Sequence, residues 1–252
     1  MRTAPLAIVT LLAGAALASG APIIPWQTVS TRPHDTSAFT EGLTAHAGEL
    51  LESTGLDGAS SVRRVKARTG KVIRRAADPT DVFGEGLTVL RGTAWQLTWR
   101  DHRIYAYNPR TLARTANRAY PYEGWGLTTD GASLIASDGS ATLRWLNPRT
   151  MRVRRTVSVT DEGQPVTNIN ELEMINGAIW ADVWLTDRIA VIDPADGHVR
   201  AWLDLGPLNP RTGNPDAVLN GIAVDPVTRL PLVTGKLWPR MFVIRPEGPI
   251  PA

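Results

Sequence analysis

One short phrase recurs five times along this chain, at intervals of 40 to 50 residues, with a polar or aromatic side chain just before a glycine or small turn and an apolar residue. It reads Phe39-Thr40-Glu41-Gly42-Leu43, Phe83-Gly84-Glu85-Gly86-Leu87, Gly124-Trp125-Gly126-Leu127, Asn170-Glu171-Leu172 and Leu219-Asn220-Gly221-Ile222. A period of this length belongs to solenoids or propellers, and what fills the period decides between them. Here strands fill it. Runs such as Ala94-Trp95-Gln96-Leu97-Thr98-Trp99 and Arg103-Ile104-Tyr105-Ala106-Tyr107 are rich in Val, Ile, Trp and Tyr and are separated by Asp, Asn, Gly and Pro, with no segment of helical period and length between them. Four short strands per period is the size of a propeller blade. The chain therefore reads as an all-β, five-bladed propeller in which the phrase is the innermost strand of each blade. Glu41, Glu85, Trp125, Asn170 and Asn220 share one register and should converge near one mouth of the central channel.

A second phrase fixes the blade count. Tyr107-Asn108-Pro109-Arg110-Thr111-Leu112, Leu146-Asn147-Pro148-Arg149-Thr150-Met151 and Ile192-Asp193-Pro194-Ala195-Asp196-Gly197 each start a tight turn with Asn-Pro or Asp-Pro, and Val65 to Gly70 is a fainter copy. Each marks the hairpin between the third and fourth strands. The last period reaches Pro246 and Pro249 with no fourth strand, whereas Trp26 to Arg32 alternates like a strand and has no blade of its own. An N-terminal strand that completes the last blade would close the ring and remove an exposed sheet edge.

The first residues read differently. Met1-Arg2 is a short basic start, Leu6 to Ala18 is an apolar stretch too short to span a bilayer, and Ala16-Leu17-Ala18 supplies small residues for cleavage. Residues 1–18 are expected to be a secretory signal cut within about 18–21, sending residues 22–252 as one propeller domain to a periplasm or outside the cell, with no membrane attachment after cleavage. The chain has no cysteine, so disulfides, thiol chemistry and thiolate metal sites are excluded. Without Arg2 the balance is 26 basic against 24 acidic residues. Arg63-Arg64 and Arg152 to Arg155 sit in strand patterns and read as solvated outer faces, not as a nucleic-acid surface.

His34, His46, His102 and His198 lack metal-ligand spacing and read as surface or turn residues. No nucleophile elbow, phosphate loop or dinucleotide fingerprint is present. The chain does carry nine tryptophans against three phenylalanines and four tyrosines. Trp95, Trp145, Trp180 and Trp202 lie inside strands and should pack blade on blade. Trp99, Trp125, Trp184 and Trp238 lie at strand ends, where loops form the faces of a propeller, and several of them should edge a pocket. Glu41 and Glu85 would then be carboxylates beside indole rings, and partial desolvation would raise their pKa toward a range useful for moving protons. Asn170, Asn220 and Lys236 would bring amides and one positive charge to the same rim.

These residues give the chain its family resemblance. Phe83-Gly84-Glu85-Gly86-Leu87, Glu52-Ser53-Thr54-Gly55-Leu56, Gly124-Trp125-Gly126-Leu127, Asn170-Glu171-Leu172-Glu173, Leu219-Asn220-Gly221-Ile222 and Val233-Thr234-Gly235-Lys236-Leu237-Trp238-Pro239 together resemble the plant-type, papaya-like glutaminyl cyclases and their bacterial members. The resemblance runs in order over nearly the whole chain after the leader. It implies a five-bladed propeller that turns the N-terminal glutamine of peptides or proteins into pyroglutamate with release of ammonia, without zinc and with no required cofactor. It also implies Glu85 as proton shuttle, Asn170 as polar partner, Lys236 as pocket lysine, and Trp99, Trp125 and Trp184 as pocket walls. Where the family commonly has Phe-Thr-Gln-Gly-Leu this chain has Glu41, whose added charge bears on the pH optimum. Expected partners are such substrates only, with no nucleic acid, and the protein is expected to be a monomer. A structural cation such as calcium in the channel stays open. So do two other readings of the residues alone: a non-catalytic peptide- or sugar-binding propeller, and a metal-dependent propeller hydrolase or lactonase.

Overall fold

The computed structural model describes residues 20–251, so the leader expected over residues 1–18 lies outside them. The chain opens with β1 (Trp26–Pro33). Four complete blades follow, each a four-stranded antiparallel meander: β2 (Thr40–His46), β3 (Glu49–Thr54), β4 (Ser61–Val65), β5 (Val72–Ala77); β6 (Gly84–Leu90), β7 (Thr93–Thr98), β8 (Arg103–Tyr107), β9 (Arg114–Ala119); β10 (Leu127–Thr129), β11 (Leu134–Ala136), β12 (Thr142–Leu146), β13 (Val153–Ser158); and, after a small hairpin of β14 (Thr160–Asp161) and β15 (Gln164–Pro165), β16 (Ile169–Ile175), β17 (Ala178–Val183), β18 (Arg188–Ile192), β19 (Val199–Asp204). The fifth sheet is ordered β1-β22-β21-β20 and uses β20 (Leu219–Val224), β21 (Pro231–Gly235) and β22 (Arg240–Pro246).

The ring closes as the unpaired N-terminal segment suggested. β1 pairs antiparallel with β22 from Trp26↔Pro246 to Pro33↔Arg240. Buried Arg32 locks the joint by donating to both carboxylate oxygens of Asp225, at 2.6 and 2.8 Å. Burial pushes the Asp225 carboxyl up, yet the bonds from Arg32 and Thr228 outweigh it and hold it down at about 2. Ahead of the strand the chain also pairs with the fourth blade, Ile24 N–H donating to Trp202 O and Trp202 N–H to Pro22 O, each at 2.8 Å.

The Asn-Pro and Asp-Pro turns sit between third and fourth strands. In each, the leading side chain accepts a local amide, Asn108 from Arg110, Asn147 from Arg149 and Asp193 from Ala195. The fourth strands β5, β9 and β13 alternate toward solvent, and Arg152, Arg154 and Arg155 lie exposed there. Arg63 departs from that expectation. It stands directly across from Glu52 in the β3–β4 ladder and is 5% exposed, donating to Glu52 and to Asp35 at 2.8 Å each. His34 is likewise buried, against the expectation of a surface or turn residue, because the same Glu52 needs it. Its Nε2 lies 2.8 Å from Glu52 Oε1. A buried carboxylate is stable only when paired and hydrogen-bonded, so Glu52 draws both cationic partners inward.

Apolar clusters fill the spaces between blades. The largest joins blades four and five through Trp180, Ile189, Leu203, Ile222, Val233 and Trp238. Each fully buried aliphatic side chain of this kind contributes roughly 1.5–3 kcal/mol.

Candidate active site

The innermost strands carry the site because they are broken in register at one place. β2 is displaced against β3 between Thr40 and Gly42, β6 against β7 between Gly84 and Leu87, β16 against β17 between Ile169 and Leu172, and β20 against β21 between Leu219 and Ile222. The residues caught in these irregularities are Glu41, Glu85-Gly86, Asn170-Glu171 and Asn220-Gly221. A bulge removes a residue from the ladder and re-aims its side chain, which is how side chains on buried strands come to face the channel mouth. Neighbouring inner strands almost touch here. A Cβ on Gly126 would lie 1.9 Å from Asn170 O, so only glycine fits. The fourth blade alone has a large residue at this position. Glu171 is fully buried and accepts amide bonds from Leu43 at 3.1 Å and Ile222 at 2.8 Å, tying the fourth blade to the first and fifth on the axis.

A second circle comes from the residue that follows each second strand. Gly55, Trp99, Trp184 and Lys236 donate their amides to the carbonyls of Phe39, Phe83, Asn168 and Val218, two residues before the bulge. In three blades the offset between bulge and rim is the same, 41 to 55, 85 to 99 and 170 to 184. Blade one has glycine here because a Cβ on Gly55 would come within 2.3 Å of the Phe83 ring.

Together the two circles enclose a cavity of about 250 Å³ lined by Glu41, Glu85, Trp99, Trp125, Asn170, Trp184 and Lys236. Seven of the eight residues singled out from sequence are thus brought together. The eighth, Asn220, is fully buried and lies behind Glu41, donating to Glu41 Oε2 at 3.0 Å and to Thr40 O at 2.8 Å. Trp238 is fully buried as well, its Nε1 donating to Ala217 O, so it belongs to the core and not to a pocket edge.

The rings meet edge to face. Phe83 stands 5.6 Å from Trp99 and 6.2 Å from Phe39, and Trp125 stands 5.5 Å from Trp184. Phe39 and Phe83 also line the cavity and escaped the sequence reading, although their place two residues before the register carboxylates was a usable signal. Leu185, Pro215 and Asp216 complete the wall. Pro215 and Asp216 come from the long connection after β19, outside the repeat, whereas Leu185 directly follows the rim residue Trp184.

Charge is distributed unequally. Lys236 Nζ donates to Glu41 Oε1 at 2.6 Å and lies 4.7 Å from the centre of the Phe39 ring. Burial raises the Glu41 carboxyl, and Lys236 and Asn220 hold that rise back. Glu85 accepts no such hydrogen bond, and the Lys236 charge opposes its rise only in part. Its Oε2 is buried with no hydrogen-bond partner among the described residues, and burial first, then the charge of Glu41, pushes its pKa well above the ordinary carboxylate range. The upward push is therefore stronger on Glu85 than on Glu41, whose carboxyl is the one held by Lys236. Trp125 Nε1 and Asn170 Oδ1 are also buried without partners, which gives the cavity one unsatisfied donor and one unsatisfied acceptor beside the acid.

Among the described residues no group of three or more His, Cys, Asp or Glu side chains is placed to hold a metal ion. Glu171 accepts two amides as above, and Asp182 Oδ2 accepts one from Gly221 N–H at 2.8 Å while its Oδ1 is buried without a partner among the described residues.

Comparison with known proteins agrees with this geometry. The model of the glutamine cyclotransferase family matches residues 3–245. A glutaminyl-peptide cyclotransferase of Arabidopsis thaliana is 44% identical over 227 residues, which is 87% of this chain and 70% of that protein. The crystal structure of Myxococcus xanthus glutaminyl cyclase superposes with a TM-score of 0.84 at 35% identity, covering 89% of this chain and 97% of that one.

Proposed function

The chain belongs to the glutamine cyclotransferase family, and from that premise we propose how its cavity works: Glu85 is the proton shuttle that turns an N-terminal glutamine into pyroglutamate. The chain is a glutaminyl-peptide cyclotransferase, and its substrates are peptides with N-terminal glutamine. The observation that carries the proposed mechanism is the buried, unpartnered carboxyl of Glu85 among aromatic walls.

Cyclisation joins the α-amine nitrogen to the side-chain carbonyl carbon and breaks the bond from that carbon to the amide nitrogen, which leaves as ammonia. The attacking nitrogen must lose a proton and the leaving nitrogen must gain one. Glu85 does both in turn, so the enzyme ends as it began. A raised pKa suits it to this work near neutral pH. The unpartnered Asn170 amide and the Trp125 indole N–H offer polar contacts to the glutaminyl group. Lys236 spends one N–H on Glu41 and retains further donors for a carbonyl oxygen on which negative charge develops. Trp99, Trp125 and Trp184 hold the side chain folded back on its amine and exclude water, which favours ring closure over hydrolysis to glutamate.

The chemistry as proposed uses no metal, and the exported location and the single-domain chain read from the sequence are part of the same proposal. Ammonia release and pyroglutamate formation from a short glutaminyl peptide, followed with and without a strong chelator, test it. Equal turnover in both is expected. Loss of turnover in the chelator, restored by zinc or calcium, would rule out the metal-free route.

A further inference from the structure

The two sides of the cavity mouth are built differently. Blades one and two contribute flat rings, and Arg100, stacked 3.8 Å over Trp99, is paired with Glu123 at 2.9 Å. Across the mouth stand Leu185 and Asp216. Leu185 is 64% exposed, the most exposed large apolar side chain among the described residues, and its φ is 65°. Leu56 and Leu237 take the same left-handed φ after the rim residues of blades one and five, so the conformation belongs to the turn, and it is the degree of exposure that sets Leu185 apart. The turn that holds it is fixed, because Thr186 donates both its amide and its hydroxyl to Val183 O at 3.0 and 2.6 Å. A large apolar side chain held in water on a fixed turn at the cavity wall is placed to meet whatever passes the mouth.

Asp216 is fixed in the same way. Its amide donates to Asn214 Oδ1 at 2.9 Å and its carbonyl accepts from Val218 N–H at 2.8 Å, while its carboxylate makes no ion pair among the described residues. The nearest basic residue in its own connection, Arg211, pairs with Asp187 instead. With Lys236 matched by Glu41, and Arg100 by Glu123, Asp216 is the solvent-exposed acid of the cavity wall without a counter-ion among the described residues.

We propose that Leu185 and Asp216 form a subsite for the residue that follows glutamine, and that it favours an aliphatic stem ending in a cation, lysine or arginine. This rests on the cyclase reading: with the glutaminyl side chain inside beside Glu85, the peptide must leave through the mouth, and its second side chain is the first to emerge. Lysine and arginine lay their methylenes on apolar surface while the charged head stays in water. Leu185 supplies that surface and Asp216 the counter-charge. The protein's formal net charge of +3 would by itself favour acidic peptides, so a preference for cations would have a local origin.

The test compares kcat/KM for otherwise identical peptides beginning Gln-Arg, Gln-Leu and Gln-Glu at low and high salt. At low salt Gln-Arg should exceed Gln-Glu by about threefold to fivefold, as expected for one exposed charge pair, and the gap should shrink with salt. Asp216→Asn should remove the Gln-Arg advantage and spare Gln-Leu, whereas Leu185→Ser should lower both Gln-Leu and Gln-Arg. Equal rates for Gln-Arg and Gln-Glu in the unmodified enzyme, or an Asp216→Asn loss that is the same for all three peptides, would overturn the subsite alone. Absence of ammonia from every peptide would overturn the cyclase reading and the subsite with it.

Discussion

Lys236 Nζ lies 2.6 Å from Glu41 Oε1, so the positive charge of the cavity is committed to the one register carboxylate that departs from the commoner family pattern. Glu85 is left as the acid without a partner.

That division predicts the effect of Glu41→Gln. The substitution removes a negative charge facing Glu85 and leaves Lys236 without its counter-ion, and both changes favour ionised Glu85. Its pKa should fall from well above the ordinary range toward it. The limb of the kcat/KM profile that Glu85 governs should then move to lower pH while maximal turnover stays largely intact. A pH–rate profile of the two enzymes checks this, and superimposable profiles would break the link between the two carboxyls.

Ring closure predicts a large cost at Arg32. Its pair with Asp225 is buried, with side-chain exposures of 9% and 0%, and removing one partner of such a pair costs about 3–5 kcal/mol. Arg32→Ala should lower unfolding free energy in urea by that order, and deleting residues 26–32 should destabilise the whole fold. An unchanged melting temperature for the truncated protein would mean that β1 is not part of the cooperative unit.

Buried acids near the axis set a pH dependence of stability. Burial pushes Glu173 up to about 8 and Asp182 up to about 7. A carboxyl whose folded pKa is raised stabilises the fold fully below its unfolded value, and the contribution is lost as pH rises through the folded one. The melting temperature should therefore decline between about pH 4.5 and pH 8. Glu173→Gln should flatten the upper part of that decline, and a curve parallel to the unmodified protein's would contradict the assignment.

Much of this was legible in the chain. Period, turn phrases and the missing fourth strand specify five blades and a closing N-terminal strand, because each is a local pattern repeated in register. The same register located Glu41, Glu85, Trp125 and Asn170, since a bulge recurs at one place in the inner strands. What it could not show is depth. Asn220 shares the register yet lies behind Glu41, and Trp238 ends a strand yet fills the core. Arg63 and His34 look solvated in sequence but are drawn inward by Glu52, a partner that only tertiary folding supplies. Asp216 comes from the long connection after β19, and Leu185 from the turn just past the rim residue Trp184, and in neither place does strand periodicity carry information on exposure.

The measurement that bears most directly on the mechanism is the kinetics of Glu85→Gln. The amide keeps the size and hydrogen-bonding reach of the acid but cannot take up and return a proton. Turnover should fall on the order of 10²- to 10⁴-fold, the usual worth of a positioned acid–base group. KM should change far less, because the tryptophan walls and Asn170 set the pose. Near-full kcat in Glu85→Gln, or a dead Glu41→Gln enzyme beside it, would contradict the assignment of the shuttle to Glu85.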